Sequence, residues 1–327
     1  MGILSAELVI TLQQLEGVGN KTILKIADGI AGRLETIEDL INFWPSVKGK
    51  KFEAITKSDL ASAYGRARRI IDESGKHMVQ VVTLFDEQYP EILRSCVDET
   101  GKPDQPLVLY CRGNLLAFKK PGIAVIGTRE PTLNGKKAGA YFAAEFAQRG
   151  FNIVSGLALG CDAAGHQGAL SAGGTTTAFL ANGLDWNSVY PRENLGLAQR
   201  IVDNGGLLLS EYAIGQPCGR YGLVARDRLQ AGLSYATIVV QTSIKGGTMH
   251  AVRATIAANK PLFAVEYKSP ADNSNNNVQG NLMLIRDKGA YPLSSTEVER
   301  AARIIEKAKL LSESKTDQTS LFGELKI

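Results

Sequence analysis

A Rossmann-like α/β fold, with a mainly parallel sheet covered by helices on both faces and a small all-helical segment ahead of it, is what this 327-residue sequence predicts. Three observations lead there. After Pro121-Gly122, short apolar runs alternate with helical stretches, the pattern of strands buried on both faces and joined by crossover helices. Glycines gather where those runs end. Before residue 84 the apolar residues instead follow helical spacing, with few strand signals.

Taken in order, residues 1–83 read as a helical domain, on the spacing of Leu60, Ala63, Tyr64, Ala67, Ile70 and Ile71. Inside it, Leu15-Glu16-Gly17-Val18-Gly19-Asn20-Lys21-Thr22 sets a Gly-x-Gly turn between two helical stretches, as in a helix-hairpin-helix. Such glycines permit a tight turn, and the N–H groups at the next helix start can face a phosphate. The same turn serves equally well to pack two helices. It is not a P-loop, because Asn20 separates Gly19 from Lys21. Residues 84–118 read as a connector packing on the core, with a polar stretch at 98–104 and a strand-like run at 107–110. The core itself spans 119–293. Its apolar runs fall at 123–126, 152–155, 176–180, 206–210, 237–241 and 261–265, with helical stretches at 134–149, 162–172 and 248–258. Residues 294–327 read as a charged helix over 295–311 followed by a polar tail, expected to be poorly ordered by itself.

Lysine and arginine number 37 against 33 acidic residues, a net charge of +4 that permits a nucleic-acid partner without demanding one. Cys96, Cys111, Cys161 and Cys218 stand far apart with no C-x-x-C pair, which signals neither zinc nor a disulfide framework. Reduced thiols, no basic-then-apolar leader and no window near the ~18 apolar residues of a membrane span suggest a cytoplasmic chain. No metal or cofactor is expected.

In a doubly wound sheet, ligands sit beyond the carboxyl ends of the strands. The glycine loops fall there: Gly127-Thr128-Arg129, then Ser155-Gly156-Leu157-Ala158-Leu159-Gly160, then Lys245-Gly246-Gly247-Thr248. Loop N–H groups, a bidentate arginine and a point-charge lysine together suit phosphates. Longer words go further. The second loop continues into Cys161-Asp162-Ala163-Ala164-Gly165-His166-Gln167-Gly168-Ala169-Leu170. It is accompanied in order by Val125-Ile126-Gly127-Thr128-Arg129, Tyr190-Pro191-Arg192-Glu193-Asn194, Arg226-Asp227-Arg228 and Gly280-Asn281. Over about residues 85–292 these words resemble the DprA/Smf (DNA processing protein A) family.

That resemblance implies a non-enzymatic protein that binds single-stranded DNA in a basic pocket, forms a homodimer and loads the RecA recombinase during transformation. It carries DNA contact onto Arg129 and Lys245, with Gly127, Ser155, Gly156, Gly246 and Gly247 lining the pocket. Arg226 and Arg228, two apart, are expected to face one side of an extended loop and add phosphate contacts. The family pattern is broken at Ala225, Asp227, Leu223-Val224, Gln241 and the Lys-Gly-Gly-Thr loop, and the C-terminal winged helix of many relatives is not expected here. No catalytic residue is assigned: Asp162 and His166, four apart, read as packing of a helix rather than as an acid/base pair. Tyr190, Tyr212 and Tyr221 suit base stacking or rim packing alike. The alternative reading is a nucleotide-binding sensor or nucleotide hydrolase on the same fold. For hydrolysis the position three beyond Thr248 is Ala251, which lacks the carboxylate that an oxocarbenium-like centre needs. In the tail, Gln318, Leu321 and Phe322 resemble a peptide that hooks the DNA sliding clamp, two apolar anchors on a polar linker.

Overall fold

The computed structural model describes residues 3–219 and 221–323, those from 315 onward by backbone alone. Why the core strands form is visible in their side chains. In β3 (Gly122–Ile126), Ile123 and Val125 enter one apolar cluster and Ala124 and Ile126 another, all buried. Residues of alternate parity thus feed cores on opposite faces, so every position of the strand is apolar. β8 (Leu262–Val265) repeats this, with Phe263 and Val265 on one side and Leu262 and Ala264 on the other.

The remaining strands are β1 (Gln80–Thr83), β2 (Val108–Gly113), β4 (Asn152–Ser155), β5 (Thr176–Leu180), β6 (Leu207–Ser210), β7 (Ala236–Val239) and β9 (Tyr291–Leu293). Among the described residues they make one nine-stranded sheet in the order β1-β2-β6-β5-β4-β3-β7-β8-β9. From β6 to β9 neighbours run parallel, while β2 is antiparallel to both β1 and β6. The chain winds outward from β3 through β4 and β5 to β6, then returns to β7 on the other side of β3. The order therefore reverses between β3 and β7, which opens a crevice at their carboxyl ends.

Ahead of the sheet, helices Ala6–Gln13, Asn20–Asp28 and Lys57–Lys76 pack together. Thr56 caps the last of these reciprocally with Asp59, satisfying N–H groups that the first turn leaves open. At the hairpin, Gly17 has φ +72° and its carbonyl accepts from Lys51 Nζ at 3.0 Å. The buried cluster of this region continues without a break from Leu8 and Ile10 to Val82 and Leu109 on the sheet.

The apolar runs at 152–155 and 176–180 coincide with β4 and β5. Other elements carry no such signal. β1 lies inside the stretch read as helical, and β9 contains Pro292. Helices Leu195–Asp203, Gly222–Gly232 and Asn276–Lys288 fill segments where no helix was expected. The closing helix runs Val298–Gly323, past the expected end near 311. Among the described residues no helix is long and apolar enough to cross a membrane.

Candidate functional site

The crevice between β3 and β7 holds a cleft of about 440 Å³. Three segments wall it: the loop after β3 with Gly127 and Arg129, the loop after β7 with Gly246 and Gly247, and the face of Gly222–Gly232 that carries Arg226. The loop after β4 meets it at Ala158 and Asp162.

That last loop is held by its own first helical carboxylate. Asp162 Oδ2 accepts from Gly156 N at 3.1 Å and Ala158 N at 3.3 Å, and Asn194 Nδ2 ties Leu157 O and Ala158 O from outside. Two glycines make room here. A Cβ on Gly156 would fall 1.6 Å from the Arg226 guanidinium, and Gly160, at φ +80°, passes the carbonyls of Thr128 and Arg129 so closely that a Cβ would sit 2.5 Å away. On the opposite wall Gln241, fully buried, bonds Thr132 with both ends of its amide, and Asn281 Nδ2 clasps the carbonyls of Val240 and Val265. Both fix the loop after β7 from behind.

The rim carries two cations without a protein partner among the described residues. Arg129 and Lys245 are exposed, and neither makes an ion pair or side-chain hydrogen bond among the described residues. Helix Met249–Ala257 starts at Thr248 with no side-chain cap, and the N–H groups of Gly247 and Thr248 meet no acceptor among the described residues. An uncapped helix start beside two free cations favours an anion. Beside the cleft, Leu159, Tyr190, Pro191 and Leu223 form a small apolar hollow against Arg129.

The floor is different. Arg226 is almost wholly buried, its Nη1 3.0 Å from Asp227 Oδ1 and 3.9 Å from Asp162 Oδ2. Burial pushes the carboxyl of Asp162 up, with Arg226 pulling the other way. Burial likewise pushes Asp227 up to about 6, against the pull of Arg226 and with help from Asp162. Beneath, His166 Nδ1 lies 2.6 Å from Thr176 Oγ1 while its Nε2 is buried without a partner among the described residues, and burial, assisted by Arg226, drives its pKa down to about 3.

Of the residues singled out from sequence, Gly127, Arg129, Gly156, Gly246 and Gly247 gather on these walls, and Lys245 stands on the loop between. Three expectations need correction. Arg226 and Arg228 lie on helix Gly222–Gly232 and not on an extended loop, so two residues of spacing point them apart. Arg228 turns away, gripping Glu211 bidentately at 2.9 Å and Asp104 at 2.6 Å, which leaves it no part in the cleft. Ser155, fully buried, donates its hydroxyl to Val125 O at 2.6 Å and so braces β4 against β3 instead of reaching a ligand. The carboxylates of Asp162 and Asp227 and the amide of Gln230, which sequence reasoning did not place at the site, line its floor. The side chains of Gln318, Leu321 and Phe322 lie outside the described residues.

A glycine-lined crevice of this sort belongs to many doubly wound proteins, but the family model for DNA recombination-mediator protein A matches residues 80–319. The chain belongs to that family. Protein Smf of Escherichia coli K12 is 32% identical over 227 residues, covering 69% of this chain and 56% of its own length. DNA processing protein DprA of Bacillus subtilis 168 is 31% identical over 213 residues, 65% of this chain and 69% of its own. The chain thus spans little more than half of the Escherichia coli relative. Among solved structures, DprA from Streptococcus pneumoniae superposes with a TM-score of 0.70 at 26% identity, over 92% of this chain and 98% of that one. DprA from Helicobacter pylori, described for its unique single-stranded DNA binding mode, gives 0.56 at 29% identity over 72% and 96%. The family match begins at β1, so it takes in the whole sheet and leaves the N-terminal helices outside.

Proposed function

We propose that this chain binds single-stranded DNA, its phosphates held at the rim of the cleft by Arg129, Lys245 and the free N–H groups of Gly247 and Thr248. The observation that carries the reading is the pairing of two unpartnered cations with an uncapped helix start at the mouth of one crevice. Family membership and the single-strand binding described for the Helicobacter pylori relative support it. In the finer form of the reading, the protein acts as a homodimer in DNA processing and delivers the strand to the RecA recombinase in the cytoplasm, without catalysing a reaction of its own. The peptide around Gln318, Leu321 and Phe322 then tethers it to the sliding clamp.

Labelled single- and double-stranded oligonucleotides, titrated across a salt series, test the pocket. Wild type should bind the single strand, with affinity falling as salt rises. Arg129→Ala combined with Lys245→Ala should weaken binding on the order of 10- to 100-fold and flatten the log–log salt slope by about 1.4, two phosphate contacts at about 0.7 each. Absence of single-strand binding even at low salt would sink the reading and promote a single-nucleotide ligand for the cleft.

A further inference from the structure

The cations around the cleft do not end at Lys245. Helix Met249–Ala257, whose uncapped start stands at the mouth, carries His250 and Arg253 three residues apart and therefore on one face. The charge of His250 reaches Asp227 on the floor, as that of Arg129 does from the loop after β3. From Thr248 to Arg253 the helix axis advances about 7.5 Å, the order of one nucleotide step in an extended strand.

Unlike Arg129 and Lys245, these two side chains are occupied. Glu99, on the polar turn of the connector, meets both with a single oxygen: Oε2 accepts from Arg253 Nε at 2.7 Å and lies 3.1 Å from His250 Nδ1. Arg253 Nη2 in turn lies 2.9 Å from the same Nδ1. The three contacts conflict. A ring nitrogen carries either a hydrogen, which would then meet the N–H of Arg253, or a lone pair, which would then meet those of the carboxylate. The cluster is also open to water, its side chains between 32% and 43% exposed, so the ion pair is worth little to the fold. Nor does the turn depend on it. Asp98 Oδ1 accepts from Thr100 N at 2.8 Å, Thr100 Oγ1 at 2.7 Å and Lys102 N at 3.0 Å, and Val97 bridges Pro103, so the segment bearing Glu99 closes on itself. Glu99 can leave the helix with that turn intact.

We propose that Glu99 stands in the place of a strand phosphate, and that single-stranded DNA leaving the cleft displaces it and runs on over His250 and Arg253. This rests on the single-strand reading above and adds to it a second phosphate contact with a competitor built into the chain. A phosphate suits the position better than the carboxylate does. It offers separate oxygens to the imidazole and the guanidinium, and once the guanidinium moves onto its own oxygen the conflict at Nδ1 is gone. Arg129 and Lys245 hold a strand at the cleft, while Arg253 and His250 hold it only after Glu99 has yielded.

The test measures binding of a thymidine dodecamer to the full chain across a salt series, for wild type, Glu99→Gln, Arg253→Ala and the double variant. Glu99→Gln keeps the shape of the side chain and removes its charge; it should tighten binding by about threefold, the worth of an exposed ion pair. Arg253→Ala should weaken binding and flatten the log–log salt slope by about 0.7, one phosphate contact. The double variant should bind no more tightly than Arg253→Ala alone, because a carboxylate that acts by covering Arg253 has nothing to cover once the arginine is gone. A carboxylate that merely repels the strand from a distance would instead give the same gain in both backgrounds. No gain in Glu99→Gln, a gain that persists in the double variant, or an unchanged slope in Arg253→Ala would overturn the proposal while leaving single-strand binding at Arg129 and Lys245 in place. Absence of dodecamer binding by wild type would remove both.

Discussion

At the rim of the cleft, Arg129 and Lys245 stand in solvent with no ion pair among the described residues. At its floor, Arg226 is buried between Asp162 and Asp227, and behind the helix Arg228 is bound to Glu211 and Asp104. Four cations close in sequence to glycine-rich loops thus divide into two kinds. An exposed charge without a partner costs the fold little and is available to a ligand, whereas a buried guanidinium must be answered by the protein itself and becomes part of the wall. Burial and pairing, more than residue type, decide which arginine is left open to a ligand.

Substitutions that break this contrast should sort by stability and by affinity. The largest effect is expected at Asp162→Ala, which strips Arg226 of one carboxylate and frees the turn at Gly156 and Ala158. A loss of about 3–5 kcal/mol in urea unfolding is expected, where Arg129→Ala should move stability by no more than about 0.5 kcal/mol. Comparable losses for both would erase the distinction between floor and rim.

Next comes a pH effect from the histidine beneath the floor. Burial holds His166 neutral in the fold with a pKa of about 3, while the unfolded chain titrates near the ordinary 6.5. As pH falls through 6.5 the unfolded form gains a proton that the folded form refuses, so stability is lost from there down toward 3. Relative to His166→Gln, wild type should lose about 2 kcal/mol between neutral pH and pH 5. A parallel pH dependence for the two proteins would show that the imidazole is hydrated.

The smallest effect belongs to Ser155. With its hydroxyl committed to Val125 O, Ser155→Ala should cost about 1 kcal/mol of stability and leave the salt slope of strand binding where it was. A flattened slope would return the hydroxyl to the ligand's side.

Much of the frame can be read from the chain, for reasons that also explain the omissions. β4 and β5 are short apolar runs ended by glycine or turn residues, so their limits show. β9 is three residues long and includes a proline, too little for any periodic signal. Helix Gly222–Gly232 begins and ends on glycine and buries Arg226, Leu229 and Gln230 on a face that includes charge, so its amphipathic pattern is blurred. Site residues divide likewise. The glycines of the loops and the position of Arg129 follow from where loops must fall in this topology. Arg226 pairs with its neighbour Asp227 but also with Asp162 from another segment, and Arg228 with Asp104 and Glu211 from two more, and no local pattern announces such distant pairs.

The two ends of the sheet bear on how this molecule can meet another copy of itself. One end closes on the four residues of β1 and the other on the three of β9, where Pro292 has no N–H to give. Short margins are poor templates for strand addition, and a missing donor makes the β9 end poorer still. Growth into an extended fibre by sheet continuation is therefore disfavoured from the outset, most of all at the β9 end.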